Sequence, residues 1–131
     1  MKRLFIILAA FVMAVNMMAQ ESDIPPVYPY ESGARYRLFP TRNMYNFLEL
    51  DTRTGKINQV QWSTKGDSYR FTTSLNNDVL VWSWDTLVDG RFTLYPTSNM
   101  YNFVMLDQID GRTWQVQWNF EEENRGVMRI Y

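Results

Sequence analysis

The sequence predicts an all-β protein, two tandem antiparallel meander repeats forming one compact sandwich or small barrel. Three observations carry that prediction. Residues 35–63 and 91–119 align without a gap at an offset of 56, with 16 of 29 positions identical, among them NMYNF at 43–47 and 99–103. In a chain of 131 residues such self-similarity marks a duplicated supersecondary unit. Within each unit apolar side chains recur at every second position, and aspartate–glycine turn signals separate the short runs. Beyond the first twenty residues no window has helical periodicity.

The chain opens with Lys2-Arg3, an apolar run over residues 4–15 and a small residue, Ala19, ahead of Gln20. This is the pattern of an export signal cut after Ala19. A membrane-spanning helix would need about 20 apolar residues. Residues 20–33 contain Pro25, Pro26 and Pro29, which keep them out of a central strand. They read as an extended leader that either drapes Tyr28 and Tyr30 over a sheet edge or trails free. Residues 34–131 read as a single domain made of two repeats, about 35–74 and 91–131.

In the first repeat, Arg35-Tyr36-Arg37-Leu38 alternates polar and apolar, as does Arg91-Phe92-Thr93-Leu94 in the second. Leu48 and Leu50 share a face, as do their counterparts Val104 and Leu106. Asp51 followed by Gly55, and Asp107 followed by Gly111, mark hairpin turns in which the aspartate bonds nearby backbone and the glycine takes positive φ. Gln59-Val60-Gln61-Trp62 and Gln115-Val116-Gln117-Trp118 place Val and Trp on one face and both glutamines on the other. A fourth strand is expected at residues 69–74 and 127–131, and a joining strand at 79–84 that directs Trp82 and Trp84 inward with Leu80. Leu87-Val88-Asp89-Gly90 then turns the chain into the second repeat. A pseudo-two-fold pairing of the repeats through their Val/Trp faces is expected. A propeller is disfavoured, since two such units cannot close a ring alone.

Composition restricts the chemistry. The chain has no histidine and no cysteine, which removes Ser-His-Asp and Cys-His catalysis, zinc held by either residue, disulfides and cysteine-linked lipid. With Lys2 and Arg3 removed by signal cleavage, 11 basic residues stand against 14 acidic ones, a net charge of −3. That balance offers no footprint for nucleic acid. No cofactor and no metal site is expected. Asp107, Asp110 and Gly111 only faintly resemble a calcium loop, which needs more oxygen ligands at closer spacing. A carboxylate-dependent, glycoside hydrolase-like activity would have to use Glu49, Asp51, Asp67, Asp78, Asp85 or Asp89, none specially spaced. Glu121-Glu122-Glu123 reads as a solvated turn.

Binding is the class that survives. Aromatic rings beside amides, with few charges, suit an uncharged polar ligand such as a glycan, or another envelope protein. The candidate residues are Asn43, Tyr45 and Asn46, their counterparts Asn99, Tyr101 and Asn102, and Trp114, which replaces Asn58. The competing account makes the same stretch a fold requirement, with asparagine in a tight turn, Met44 filling a gap and Tyr45 and Phe47 on a sheet face. Met105 for Glu49 and Ser98 for Arg42 are further differences that could decide which copy binds. The second expectation is a structural or inhibitory protein acting through strand-edge pairing.

In NMYNF-x-x-LD, the turn glycine and QVQW, residues 33–131 resemble small exported β-repeat proteins of Gram-negative gut-type bacteria that have no known activity. The resemblance implies an exported β-rich domain, periplasmic or extracellular, with no membrane span after signal cleavage.

Overall fold

The computed structural model describes residues 33–131; the expected export signal and almost all of the expected proline-rich leader lie outside the described residues. Eight strands follow in order: β1 Tyr36–Pro40, β2 Asn46–Asp51, β3 Ile57–Gln61, β4 Phe71–Asn76, β5 Phe92–Pro96, β6 Asn102–Asp107, β7 Thr113–Gln117 and β8 Gly126–Ile130. They form two four-stranded antiparallel meanders, β1-β2-β3-β4 and β5-β6-β7-β8. The sheets are not closed into a barrel; they stack as a sandwich, one sheet per repeat. Residues 69–70 lie ahead of β4, and Tyr131 falls just past β8. The expected joining strand over residues 79–84 is instead a turn-rich connection, tied to the first sheet by Leu80 N–H donating to the Thr54 carbonyl at 2.8 Å.

Both hairpins between second and third strands turn on the same chemistry. Gly55 and Gly111 take φ of 85° and 81°, in the left-handed region that glycine enters without penalty. Each donates its N–H at 2.9 Å to the carbonyl of the aspartate four residues earlier, Asp51 or Asp107. The aspartate side chains accept from the turn amides of Arg53 and Ile109.

Register decides which face of each sheet is buried. Pairing of Arg37 with Leu50, Phe39 with Leu48, and Leu48 with Gln59 puts these side chains on one face of the first sheet, here the leucine face. Leu38 with Glu49, Phe47 with Val60, and Glu49 with Asn58 define its opposite, tryptophan face, which also carries Trp62. In the first sheet the leucine face is buried, through Phe39, Leu48, Leu50, Ile57 and Gln59. In the second sheet the tryptophan face is buried, through Leu94, Phe103, Met105, Trp114, Val116 and Trp118. Trp118 is 0% exposed and its counterpart Trp62 is 39% exposed.

The two repeats therefore stack front to back, and the expected pseudo-two-fold pairing of Val/Trp faces is corrected. A two-fold pairing would bury the same face of both sheets. Equivalent positions meet across the junction instead: Arg37 donates to Thr93 Oγ1 at 3.2 Å, and Arg42 donates to the Ser98 carbonyl at 2.8 Å. The two copies of the glutamine row differ accordingly. Gln59 is buried, bonding Asn46 Oδ1 and accepting the Asn119 N–H, whereas Gln115 faces outward.

A buried ion cluster secures the start of the second sheet. The Arg91 side chain is fully buried and pairs with the equally buried Asp107 at 2.9 Å, and with Asp85 at 2.9 Å. The first repeat repeats this pair as Arg35 and Asp51 at 3.3 Å, but Arg35 is open to solvent. Arg91→Ala leaves the buried Asp107 with only Arg112, at 3.3 Å, and should cost about 3 kcal/mol in urea unfolding. Arg35→Ala should cost a small fraction of that, because water already screens the pair. Equal losses at the two sites would contradict this placement.

Candidate functional site

The turn from β1 to β2 is built from Thr41, Asn43 and Asn46. Thr41 donates its hydroxyl to the Asn46 carbonyl at 2.8 Å and accepts the Asn43 N–H at 3.2 Å. Asn43 Oδ1 accepts the Tyr45 N–H at 2.9 Å and Asn46 Nδ2 at 3.0 Å. Thr97, Asn99, Tyr101 and Asn102 reproduce every one of these bonds with nearly the same lengths. A side-chain carbonyl that bonds backbone two residues ahead is the reason asparagine occupies this position. Behind each turn, the indole N–H of Trp62 or Trp118 donates to the carbonyl of Met44 or Met100, at 2.7 and 2.8 Å.

This geometry sorts the expected site residues. Asn46 is fully buried and Trp114 nearly so, wedged against Phe92 with Arg112 and Arg129 over its ring. Asn46 nevertheless borders the cleft described below, and Trp114 borders a separate groove with Leu80, Trp82 and Tyr131. Asn102 is half-buried, and its Oδ1 accepts from Gln115 at 2.8 Å. Tyr101 is half-buried against the sealed Trp118. Asn99 is exposed.

In the first repeat the same turn borders an open cleft. Tyr45 is 42% exposed and leans on Trp62 with ring centroids 5.1 Å apart. Tyr69, just before β4, and Phe120, reaching over from the second repeat, complete an aromatic cleft of about 180 Å³. Asn43, Gln61, Ser63 and Thr64 supply polar groups and Lys65 the single charge. Gln61 Nε2 donates to the Tyr69 carbonyl at 3.0 Å, which holds the β3–β4 loop to the cleft wall. Sequence reasoning missed Trp62, Tyr69 and Phe120. The signal for Phe120 is that an aromatic follows QVQW by two residues in the second copy, where the first has Thr64.

Trp82 and Trp84 are also corrected. Both are exposed, and their indoles stack on each other at 5.1 Å and 5°, with Arg112 over Trp82 at 4.5 Å. Five of the six candidate carboxylates, all but Asp78, accept a bond from a neighbouring side chain. Asp85 lies below the ordinary carboxylate range because the Thr86 N–H and then Arg91 bond its anion. At Asp51 burial pushes the pKa up, but bonds from Arg35 and the Arg53 N–H outweigh it and hold it low. At Asp110 burial likewise opposes, and the Arg112 backbone and guanidinium prevail. Glu49 accepts from Asn58 at 3.0 Å, and Asp89 pairs with Arg53. Asp107 serves its turn and Arg91, and among the described residues no three acidic side chains gather as metal ligands.

Fold and site together define an all-β protein of two stacked four-stranded meanders with an aromatic–amide cleft on one repeat. Comparison with protein-family models, with curated proteins and with solved structures gives no match.

Because the asparagine turn is the same in both copies, Asn43→Ala and Asn99→Ala should each lower unfolding free energy by about 1 kcal/mol. Urea denaturation checks this. A loss at only one position would contradict a shared structural role.

Proposed function

We propose that the protein is an exported binding module, periplasmic or extracellular, whose cleft takes an uncharged polar ligand of the glycan class. The observation that carries this reading is the company of side chains at the cleft. Tyr45, Trp62, Tyr69 and Phe120 offer open ring faces within one concavity, while Asn43 and Gln61 place amides at its wall. Flat apolar sugar faces stack on such rings, and hydroxyls bond amides without the desolvation cost of a charge. The lone cation, Lys65, lies 5.9 Å from the centre of the Tyr69 ring. The cleft is centred on the first repeat, where Trp62 stays open, with Phe120 of the second repeat on its wall; in the second repeat the equivalent indole is sealed. Carboxylates held as anions by arginines and turn amides support binding over hydrolysis as the role of this surface.

Neutral oligosaccharides derived from glucans and mannans are the probe. Their titration into labelled protein should shift the side-chain amide signals of Asn43 and Gln61 and the indole signal of Trp62. Tyr69→Ala should weaken the response about tenfold, the equivalent of ~1.4 kcal/mol. Tyr101→Ala should leave it unchanged. A response that survives Tyr45→Ala and Tyr69→Ala in folded protein would sink the assignment.

A further inference from the structure

Front-to-back stacking leaves one sheet face unpartnered at each end of the molecule, and the two faces differ. The first sheet exposes its tryptophan face, with Tyr36 at 57% and Leu38 at 52% exposure beside half-buried Phe47 and Val60. The second sheet exposes its leucine face, with Tyr95 at 50% and Met128 at 47% beside half-buried Val104 and Leu106. These outward faces are the repeat counterparts of the two faces already joined inside the chain. Phe39, Leu48 and Leu50 of the internal junction correspond to Tyr95, Val104 and Leu106; Leu94, Phe103 and Val116 correspond to Leu38, Phe47 and Val60.

We infer that a second copy of this chain occupies each outer face, its first sheet stacking on the second sheet of its neighbour as the two sheets stack within one chain. The interface is heterologous: the leucine face of one molecule meets the tryptophan face of the next. The internal junction is the template. Asn102 and Gln115 keep the bonded amide pair that Asn46 and Gln59 form at that junction, so the same polar row is available to the incoming sheet. Repeat stacks that end in solvent carry polar outer faces on their terminal units. Here both outer faces retain large apolar side chains in rows matching the core.

Three positions set the strength of this contact. Ile57 of the internal junction corresponds to Thr113, and Met105 and Trp114 correspond to Glu49 and Asn58. The intermolecular junction is therefore more polar at its centre than the internal one, as separable interfaces are. A ring of about four to eight sheets, the range of closed propellers, would need roughly two to four copies. Two units cannot close such a ring alone, and additional copies supply the missing ones.

The test uses the whole chain, purified as the host cell leaves it, in sedimentation velocity at sub-millimolar concentration. The wild type should form concentration-dependent assemblies. Leu38→Lys and Tyr95→Lys, at exposed positions on opposite end faces, should each abolish them. An equimolar mixture of the two variants should yield one-to-one pairs, because it contains a single intact junction. If either variant fails to fold by circular dichroism, Tyr36→Lys or Met128→Lys takes its place on the same face. A monomeric wild type, a mixture that stays monomeric, or disruption by only one of the two faces would overturn the proposal. Trp62 lies on the same face as Leu38, so stacking as at the internal junction would cover it as Trp118 is covered, and assembly and sugar binding compete for the cleft. Leu38 and Tyr95 lie outside the cleft, so the dispersed Leu38→Lys variant should keep the sugar response.

Discussion

The structure depends on a packing constraint: two sheets of nearly the same sequence are pressed together through opposite faces. Leu48 and Leu50 seat against the Phe103, Val116 and Trp118 side of the second sheet, although the first sheet owns the same Phe, Val and Trp at 47, 60 and 62. A face that is core in one copy is surface in the other, and each copy differs where that matters. The first has Glu49 and Asn58, hydrogen-bonded to each other, on its outward face. The second has Met105 and Trp114 at those places, both buried. Ile57 is buried where Thr113 is only half-buried. Buried aromatic and aliphatic side chains of this size typically cost several kcal/mol to truncate, so these exchanges are enough to choose which face goes inside.

The same asymmetry makes a functional surface out of a structural motif. NMYNF recurs because its first asparagine closes the turn entering the second strand of each meander, with identical bonds in both copies. What surrounds that turn is not identical. Stacking seals Trp118 and leaves Trp62 open beside Tyr45, and Phe120 from the second repeat then walls the opening. The cleft is a product of the junction, since residues from both repeats line it.

Much of the architecture was legible in the sequence. Period-two runs located six of the eight strands, and Asp51–Gly55 with Asp107–Gly111 marked the hairpins. The buried face was not legible, for a physical reason. Segments such as NFLELD and NFVMLD carry apolar residues on both faces, and alternation cannot say which side is core when both can be covered. The exchanges at 49, 57 and 58 held the answer; two of them, at 49 and 58, were read as marks of a binding copy. Trp82 and Trp84 alternate like strand residues, yet the chain turns there, with the Asp85 N–H donating to the Trp82 carbonyl at 2.9 Å. The burial of Trp114, beside Phe92 and beneath Arg112 and Arg129, depends on long-range packing that its residue type does not reveal. The Tyr69 and Phe120 walls come from long-range proximity, which no local pattern encodes.

The central claim is that equivalent positions exchange inside for outside between the repeats, and thiol labelling measures this directly because the chain has no cysteine of its own. Single cysteines are placed at Leu48, Glu49, Val104 and Met105 and reacted in dilute, monomeric protein. Front-to-back stacking predicts slow labelling for Leu48→Cys and Met105→Cys, and fast labelling for Glu49→Cys and Val104→Cys. Slow labelling at 49 and 105 together, with fast labelling at 48 and 104, would mean that both repeats bury the tryptophan face and would contradict the account.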